Sequence, residues 1–125
     1  MDKVLAGISP FFIVSDAQRS VAFYRDKLGF AVTYQQSDFA VIRRDAAQLF
    51  VKAIDEDTPP LPNPQRHPWA KWDAYVSTLD PDALAAEFHA NGSSFHAALA
   101  DTSDGQRGFE ISDPDGYVLF FGHPR

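Results

Sequence analysis

The stretch FAVIRRDAAQLF, residues 39–50, has a counterpart in FEISDPDGYVLF, residues 109–120, which begins 70 positions further along the chain. Each stretch places strand-forming apolar residues on both sides of a turn that contains aspartate, the pattern of a β-hairpin. The aligned pairs are Phe39 with Phe109, Val41 with Ile111, Asp45 with Asp115, Leu49 with Leu119 and Phe50 with Phe120. This match predicts that the hairpin is duplicated.

A helix is predicted before each hairpin, and the two helices also correspond, at an offset of 63. The first carries apolar residues at the spacing of an amphipathic helix: Ala17, Val21, Tyr24 and Leu28. The second begins at Asp80-Pro81 and ends at Asn91-Gly92, both common signals at helix termini. At this offset Val21 aligns with Leu84 and Gly29 with Gly92, so two elements repeat in the same order.

Each half therefore reads as strand, helix, strand, strand, strand. The first half is predicted to contain a buried strand at 8–14, a helix capped by Ser15 or Asp16, a strand at 30–36, and a hairpin of strands 39–44 and 48–54. The second half is predicted to contain a strand at 72–77, the helix from Asp80, a strand at 93–98, a polar loop at 101–107, and strands 108–112 and 117–122.

A proline-rich segment separates the two halves. It occupies about residues 55–70 and lacks the periodicity of a helix or strand, so we expect a lid or spacer. We expect one domain over residues 1–125, with module one at about 7–54 and module two at about 71–123. Two βαβββ modules predict an α+β fold, in which a curved mixed sheet encloses a central groove and the helices cover its outer face.

Composition excludes several classes of function. The chain has no cysteine, which removes disulfides, thiolate zinc sites and cysteine nucleophiles. The net charge of −6, with no basic patch, argues against nucleic-acid binding and slightly favours cationic ligands. No stretch has the character of a signal peptide or a membrane span, so we expect a cytoplasmic protein without a membrane partner.

Two motifs resemble those of a known superfamily. The segments FFIVSD at 11–16, SVAFY at 20–24 and LGF at 28–30 resemble the opening of vicinal oxygen chelate proteins. The segment DPDGY at 113–117, followed by Leu119 and Phe120, resembles their closing hairpin. The superfamily includes glyoxalase I, extradiol dioxygenases and the bleomycin resistance proteins, and the resemblance covers nearly the whole chain.

The resemblance also implies where a metal would be held. Enzymes of the superfamily bind one divalent metal through four strand positions, usually filled by His, Gln or Glu. In this sequence those positions correspond to Ser9, Phe50, Phe120 and, depending on the register of the strand in module two, Lys71 or Asp73. Phenylalanine has no lone pair to donate and divalent metals need several N or O donors, so we expect no metal ligands and no cofactor.

The four histidines do not supply replacement ligands. His89 lies on the second helix and is expected to meet solvent, His96 lies in a weak strand, and His123 lies near the C-terminus. His67 belongs to the proline-rich segment, which as a lid would bring it over the groove. No pair has the spacing of a local metal site.

With phenylalanine at the metal positions, the groove is predicted to be an apolar slot for a small molecule. The expected ligand-binding residues are Ser9, Phe11, Ile13, Phe50, Trp69, Asp73 and Phe120. Trp72 either joins them or packs against the second helix. We predict no catalytic residue, because Asp73 and His67, the candidate acid and base, have no visible partner. The same phenylalanines would alternatively only pack two sheets together.

Within the superfamily, the bleomycin resistance proteins are the nearest in kind. The resemblance implies a metal-free homodimer that sequesters a cationic, partly planar drug at the subunit interface, so we expect binding of a small aromatic or cationic molecule. A metal-dependent lyase or dioxygenase with atypical ligands is one alternative. A module that docks protein partners through residues 58–68 is another. An uncovered sheet face and open sheet edges also favour a homodimer.

Overall fold

The computed structural model describes residues 2–125, in which eight strands and two of the three helices follow the predicted order. Module one contains β1 (Phe11–Ile13), α1 (Ala17–Asp26), β2 (Ala31–Gln35), β3 (Phe39–Arg44) and β4 (Ala47–Lys52). The connector contains α2 (Asn63–Arg66), and module two contains β5 (Ala74–Ser77), α3 (Pro81–Ala90), β6 (Phe95–Asp101), β7 (Gln106–Ser112) and β8 (Val118–Pro124). None of these helices is long and apolar enough to cross a membrane.

The strands form two four-stranded sheets with the same internal order. The first sheet is β1-β4-β3-β2 and the second is β5-β8-β7-β6. In each sheet the first pair is parallel and the remaining pairs are antiparallel. The predicted α+β fold of two βαβββ modules is therefore confirmed.

The helix caps repeat between the modules. Asp16 caps α1 and Asp80 caps α3, each by accepting backbone N–H bonds from the first turn. These caps are 64 positions apart, and the fully buried Tyr24 and Phe88 are related by the same offset. The predicted pairing of Val21 with Leu84 is therefore wrong by one residue, whereas the pairing of Gly29 with Gly92, at an offset of 63, is confirmed. Gly29 and Gly92 both adopt positive φ, +74° and +75°, as expected for residues that end helices.

The two hairpins differ by one residue in their turns. Residues 45–46 form a two-residue turn in module one, whereas residues 114–116 form a three-residue turn in module two. The offset of 70 consequently holds for β4 and β8 but becomes 69 for β3 and β7. The predicted equivalence of Phe39 with Phe109 is therefore wrong: Phe109 is fully buried beside Phe88 of α3, and Phe39 lies on the opposite face of its sheet.

Predictions for three segments also need correction. The strand expected at 8–14 is limited to Phe11–Ile13, and Ile8 is 96% exposed, because no neighbouring strand covers it in this chain. The polar loop expected at 101–107 is reduced to residues 102–105, since main-chain pairing of β6 with β7 continues through polar residues. The connector contains the helical turn α2.

The helix-facing sides of both sheets contribute to one continuous core. Two of the contacts between the modules illustrate how they are joined within it. Phe12 of β1 stacks on Tyr117, with ring centroids 4.2 Å apart, and the Tyr24 hydroxyl donates to the Asp113 carboxylate at 2.8 Å. Nearer the surface, Arg44 makes a two-pronged ion pair with Glu87 of α3. The modules are thus fixed to each other through both packing and polar contacts.

Candidate functional site

Each sheet packs one face against its own helix, and its other face carries aromatic side chains. On the first sheet these are Phe11, Phe39 and Phe50, whose ring centroids are mutually 6.1–6.5 Å apart, with Tyr34 6.1 Å from Phe39. We call these four residues the first aromatic cluster. Phe11 and Tyr34 are each about half exposed, so flat apolar surface faces outwards here.

The second sheet carries a second aromatic cluster, formed by Trp72, Tyr75 and Phe120. Tyr75 stacks on Phe120 at 5.5 Å, and Trp72 approaches both rings edge-on at 5.9 and 6.0 Å. Trp72 therefore lies on the side away from α3, which decides between the two orientations considered above. Because its neighbours cover it, Phe120 is only 8% exposed, while Tyr75 is 43% exposed.

Two glycines allow the Phe120 ring to lie flat on the second sheet. A Cβ atom placed on Gly108 would be 2.7 Å from Cζ of Phe120, and one on Gly122 would overlap the same ring. Gly108 and Gly122 face each other across β7 and β8, so together they form a shallow slot beneath the ring. The absence of side chains at these two positions determines where the second aromatic cluster can pack.

Gly122→Ala is expected to displace the Phe120 ring and to lower the free energy of unfolding by about 1–3 kcal/mol. Urea denaturation of both single variants and the double variant with Phe120→Ala measures the coupling. Gly122→Ala should lower the free energy of unfolding much less in the Phe120→Ala background than in the wild-type protein. An equal decrease in both backgrounds would contradict the claim that Gly122 makes room for the Phe120 ring.

The register of β5 determines which residue corresponds to Ser9. Val14 donates its N–H to the Lys52 carbonyl, and Thr78 donates to the Gly122 carbonyl in the equivalent position of module two. Counting back from Thr78 rather than from Val76 makes Asp73 the counterpart of Ser9. The alternative, Lys71, is an exposed residue whose Nζ lies 3.7 Å from the Asp104 carboxylate.

The four positions implied for a metal do not provide a coordination site. Both Asp73 carboxylate oxygens accept main-chain N–H bonds, at 2.7 Å from Asn63 and 2.8 Å from Val118. Ser9 accepts from the Gln48 amide at 3.1 Å, and Phe50 and Phe120 offer no donor atom. No group of three or more His, Asp or Glu residues with metal-binding geometry occurs within residues 2–125. The residues present therefore do not fit the superfamily's divalent metal.

Two surface depressions adjoin the clusters. One, of about 390 Å³, lies between the modules and brings together Phe11, Ile13 and Asp73 with residues of the connector. The other, of about 500 Å³, lies along the end of the connector and is lined by Trp69, His67 and Trp72, among others. Trp69 stacks on His67 at 4.7 Å and is 76% exposed, and none of the other predicted ligand-binding residues lines this second depression.

The connector is docked onto module two. Pro62 is fully buried, the Asn63 N–H donates to Asp73, and the Leu61 N–H donates to the Tyr117 hydroxyl. Tyr117 in turn donates to the Ile13 carbonyl at 2.6 Å. Asp73 thus has a defined structural role, which is to hold the connector against β8.

Sequence reasoning missed Glu110, the acidic residue nearest the centre of the second sheet's open face. It is paired with Phe120 across β7 and β8, and its side chain is only 19% exposed. Burial raises the pKa of this carboxyl above its ordinary value. The sequence did carry a signal for this residue. Glu110 lies between the apolar residues Phe109 and Ile111 of β7, so its side chain points to the other face of the sheet. Counting three residues in the turn then places it opposite Phe120.

Known proteins share this architecture over the whole chain. A bleomycin-binding protein from Streptomyces verticillus, solved in complex with copper(II)-bleomycin, is 27% identical with a TM-score of 0.70, covering 97% of each chain. The antibiotic-binding protein TnmS3 from Streptomyces sp. CB03234 is 20% identical with a TM-score of 0.73, covering 99% of this chain and 100% of that one. A bleomycin resistance determinant encoded on transposon Tn5 is also 20% identical with a TM-score of 0.73, covering 95% and 98%.

Curated proteins gave no match to the chain. The family model described as the Glyoxalase/Bleomycin resistance protein/Dioxygenase superfamily matches residues 7–121, which is nearly the full length. Because this model matches nearly the whole chain and the structure contains the repeated βαβββ modules, the chain belongs to the glyoxalase, bleomycin resistance protein and dioxygenase superfamily.

Proposed function

We propose that this protein binds and sequesters a small aromatic or cationic molecule without a metal of its own, in the manner of a bleomycin resistance protein. It does so as a cytoplasmic homodimer, with the ligand held in an aromatic groove at the subunit interface. The single observation that supports this most is that Phe50 and Phe120, one in each aromatic cluster, occupy two of the four positions where the superfamily's enzymes hold metal ligands. Sequestration of a toxic drug would confer antibiotic resistance.

The aromatic rings are suited to a planar ligand. Stacked or edge-on rings contribute about 0.5–1.5 kcal/mol each beyond the burial of their area, and Phe11 and Tyr75 present half-exposed faces. The 27% identical relative binds copper(II)-bleomycin, which makes bleomycin the first ligand to test.

Exposed apolar residues support the homodimer. Val4, Leu5 and Ile8 in the segment before β1 are 87–96% exposed, and Phe11 at its end is 56% exposed. A second subunit that covers this segment and the open sheet faces would remove the apolar surface from water, at about 25 cal/mol per Å².

Isothermal titration calorimetry with metal-free bleomycin tests the proposal, after the protein has been treated with chelator and desalted. We expect binding at micromolar or lower dissociation constant, unchanged by the chelator treatment. No heat with bleomycin or with other planar drugs would contradict sequestration. Lyase or dioxygenase activity that appears on adding Ni, Zn, Mn or Fe would instead support the metalloenzyme alternative.

A further inference from the structure

A carboxylate without a hydrogen-bond donor in the protein lies beside the second aromatic cluster. Glu110 projects from the central strand β7 beside Phe120, and Tyr75 pairs with Phe120 on its other side. The side chain is mostly removed from water, which is costly for a charged group unless a partner compensates. A partly buried acid that accepts no hydrogen bond from the protein is a candidate for ligand recognition.

The charged groups around Glu110 do not form hydrogen bonds with its carboxylate. His96 Nε2 on β6 lies 3.8 Å away, beyond hydrogen-bond distance, and is itself half exposed. Lys71 is close enough to favour the ionised form of Glu110, but it is 70% exposed and paired with Asp104. Within residues 2–125, burial and these two positive groups are the influences on the Glu110 carboxyl, and no N–H or O–H donates to it.

We propose that Glu110 selects a ligand with a positive charge on or next to a planar aromatic ring, held against the second aromatic cluster. This inference rests on the proposed function and names the chemistry that its site recognises. A cation placed over aromatic faces is attracted by their quadrupoles, and a partly desolvated carboxylate strengthens that attraction.

The first aromatic cluster differs in charge. Lys52 is paired with Phe39 across β3 and β4, on the face that carries this cluster, and its Nζ lies 2.8 Å from Asp38 at the sheet edge. Arg43 is paired with Gln48 on the same face. This face therefore carries two basic side chains, of which Lys52 is paired with Asp38, and its strands carry no carboxylate like Glu110, so it suits an uncharged or electron-rich ring system. A ligand with one cationic end and one neutral planar end would be oriented by the two clusters.

Three probes of similar shape separate charge from stacking: N-methylquinolinium, quinoline and quinaldate, titrated at mildly alkaline pH, where quinoline is uncharged. The wild-type protein is expected to bind the cation about 10-fold more tightly than quinoline, and quinaldate most weakly. Glu110→Gln should reduce this preference to about 2-fold or less and leave the affinity for quinoline unchanged. Glu56→Gln, at an exposed acid of the connector, is the matched control and should keep the preference.

The outcomes distinguish this inference from the proposed function. A wild-type protein without preference for the cation, or a preference that survives in Glu110→Gln, overturns the role of Glu110 while bleomycin binding still supports the proposed function. The same holds if bleomycin binds and none of the three probes does. If neither bleomycin nor any probe binds, both are overturned. Since the wild-type preference is measured without any substitution, the test does not depend on the variant folding.

Discussion

Replacing both Phe11 and Tyr75 by alanine is expected to weaken the binding of metal-free bleomycin about 100-fold, which corresponds to about 2.8 kcal/mol. The two residues are structural counterparts: Phe11 pairs with Phe50 in the first sheet, and Tyr75 pairs with Phe120 in the second. Each residue presents a half-exposed ring, so each substitution removes one stacking surface from the proposed groove. Calorimetry on the single and double variants measures the two contributions.

The double variant should remain folded. Because Phe11 and Tyr75 are 56% and 43% exposed, their truncation is expected to lower the free energy of unfolding by about 1–3 kcal/mol in total. Leu79→Ala removes a residue that is 94% exposed and outside both clusters, and it should change neither stability nor affinity. Unchanged bleomycin affinity in the double variant would contradict the assignment of the aromatic clusters as the binding surface.

The Asp113 carboxyl is expected to make the protein less stable as the pH rises from about 4 to about 7. Burial raises the pKa of Asp113 to about 6, although it accepts bonds from Tyr24 and from the main chain of Asp115 and Tyr117. The folded state therefore holds this proton more tightly than the unfolded state. The contribution is fully present below about pH 4 and is lost as the pH passes 6, at a cost of up to about 3 kcal/mol.

Asp113→Asn isolates this effect. Other carboxyls, among them Glu87 beside Arg44, have lowered pKa values and stabilise the fold as the pH rises, so the wild-type curve alone is ambiguous. They are common to both proteins and cancel in the difference. Urea denaturation at several pH values should show the variant gaining about 2–3 kcal/mol relative to wild type between pH 4 and 7. A constant difference across this range would contradict the raised pKa.

The repeated sequence predicted the architecture because each element carries its own local signal. The apolar spacing of α1 and the caps at Asp16 and Asp80 depend on neighbouring residues alone, and both helices form where expected. The polar segment at 101–107 was misread, because strand pairing uses main-chain groups that side-chain polarity does not reveal. Ile8 was wrongly predicted to be buried in a strand, because the apolar character of a residue does not show which surface, if any, covers it.

The candidate site was partly predictable for a related reason. Phe50 and Phe120 were matched correctly because β4 and β8 follow their turns at the same offset. Glu110 was missed because an offset of 70 aligns it with Ala40, a buried helix-facing residue, and one extra residue in the turn reverses that face. The roles of Asp73 in holding the connector and of the glycines beneath Phe120 arise from contacts between distant segments.

Native mass spectrometry of the chelator-treated, desalted protein mixed with metal-free bleomycin tests the central claim most directly, since one spectrum reports subunits, ligand and metal together. We predict a homodimer that carries one bleomycin per subunit and no protein-bound metal ion. A monomer, a dimer that takes up no bleomycin, or a stoichiometric metal ion retained on the protein would contradict the account.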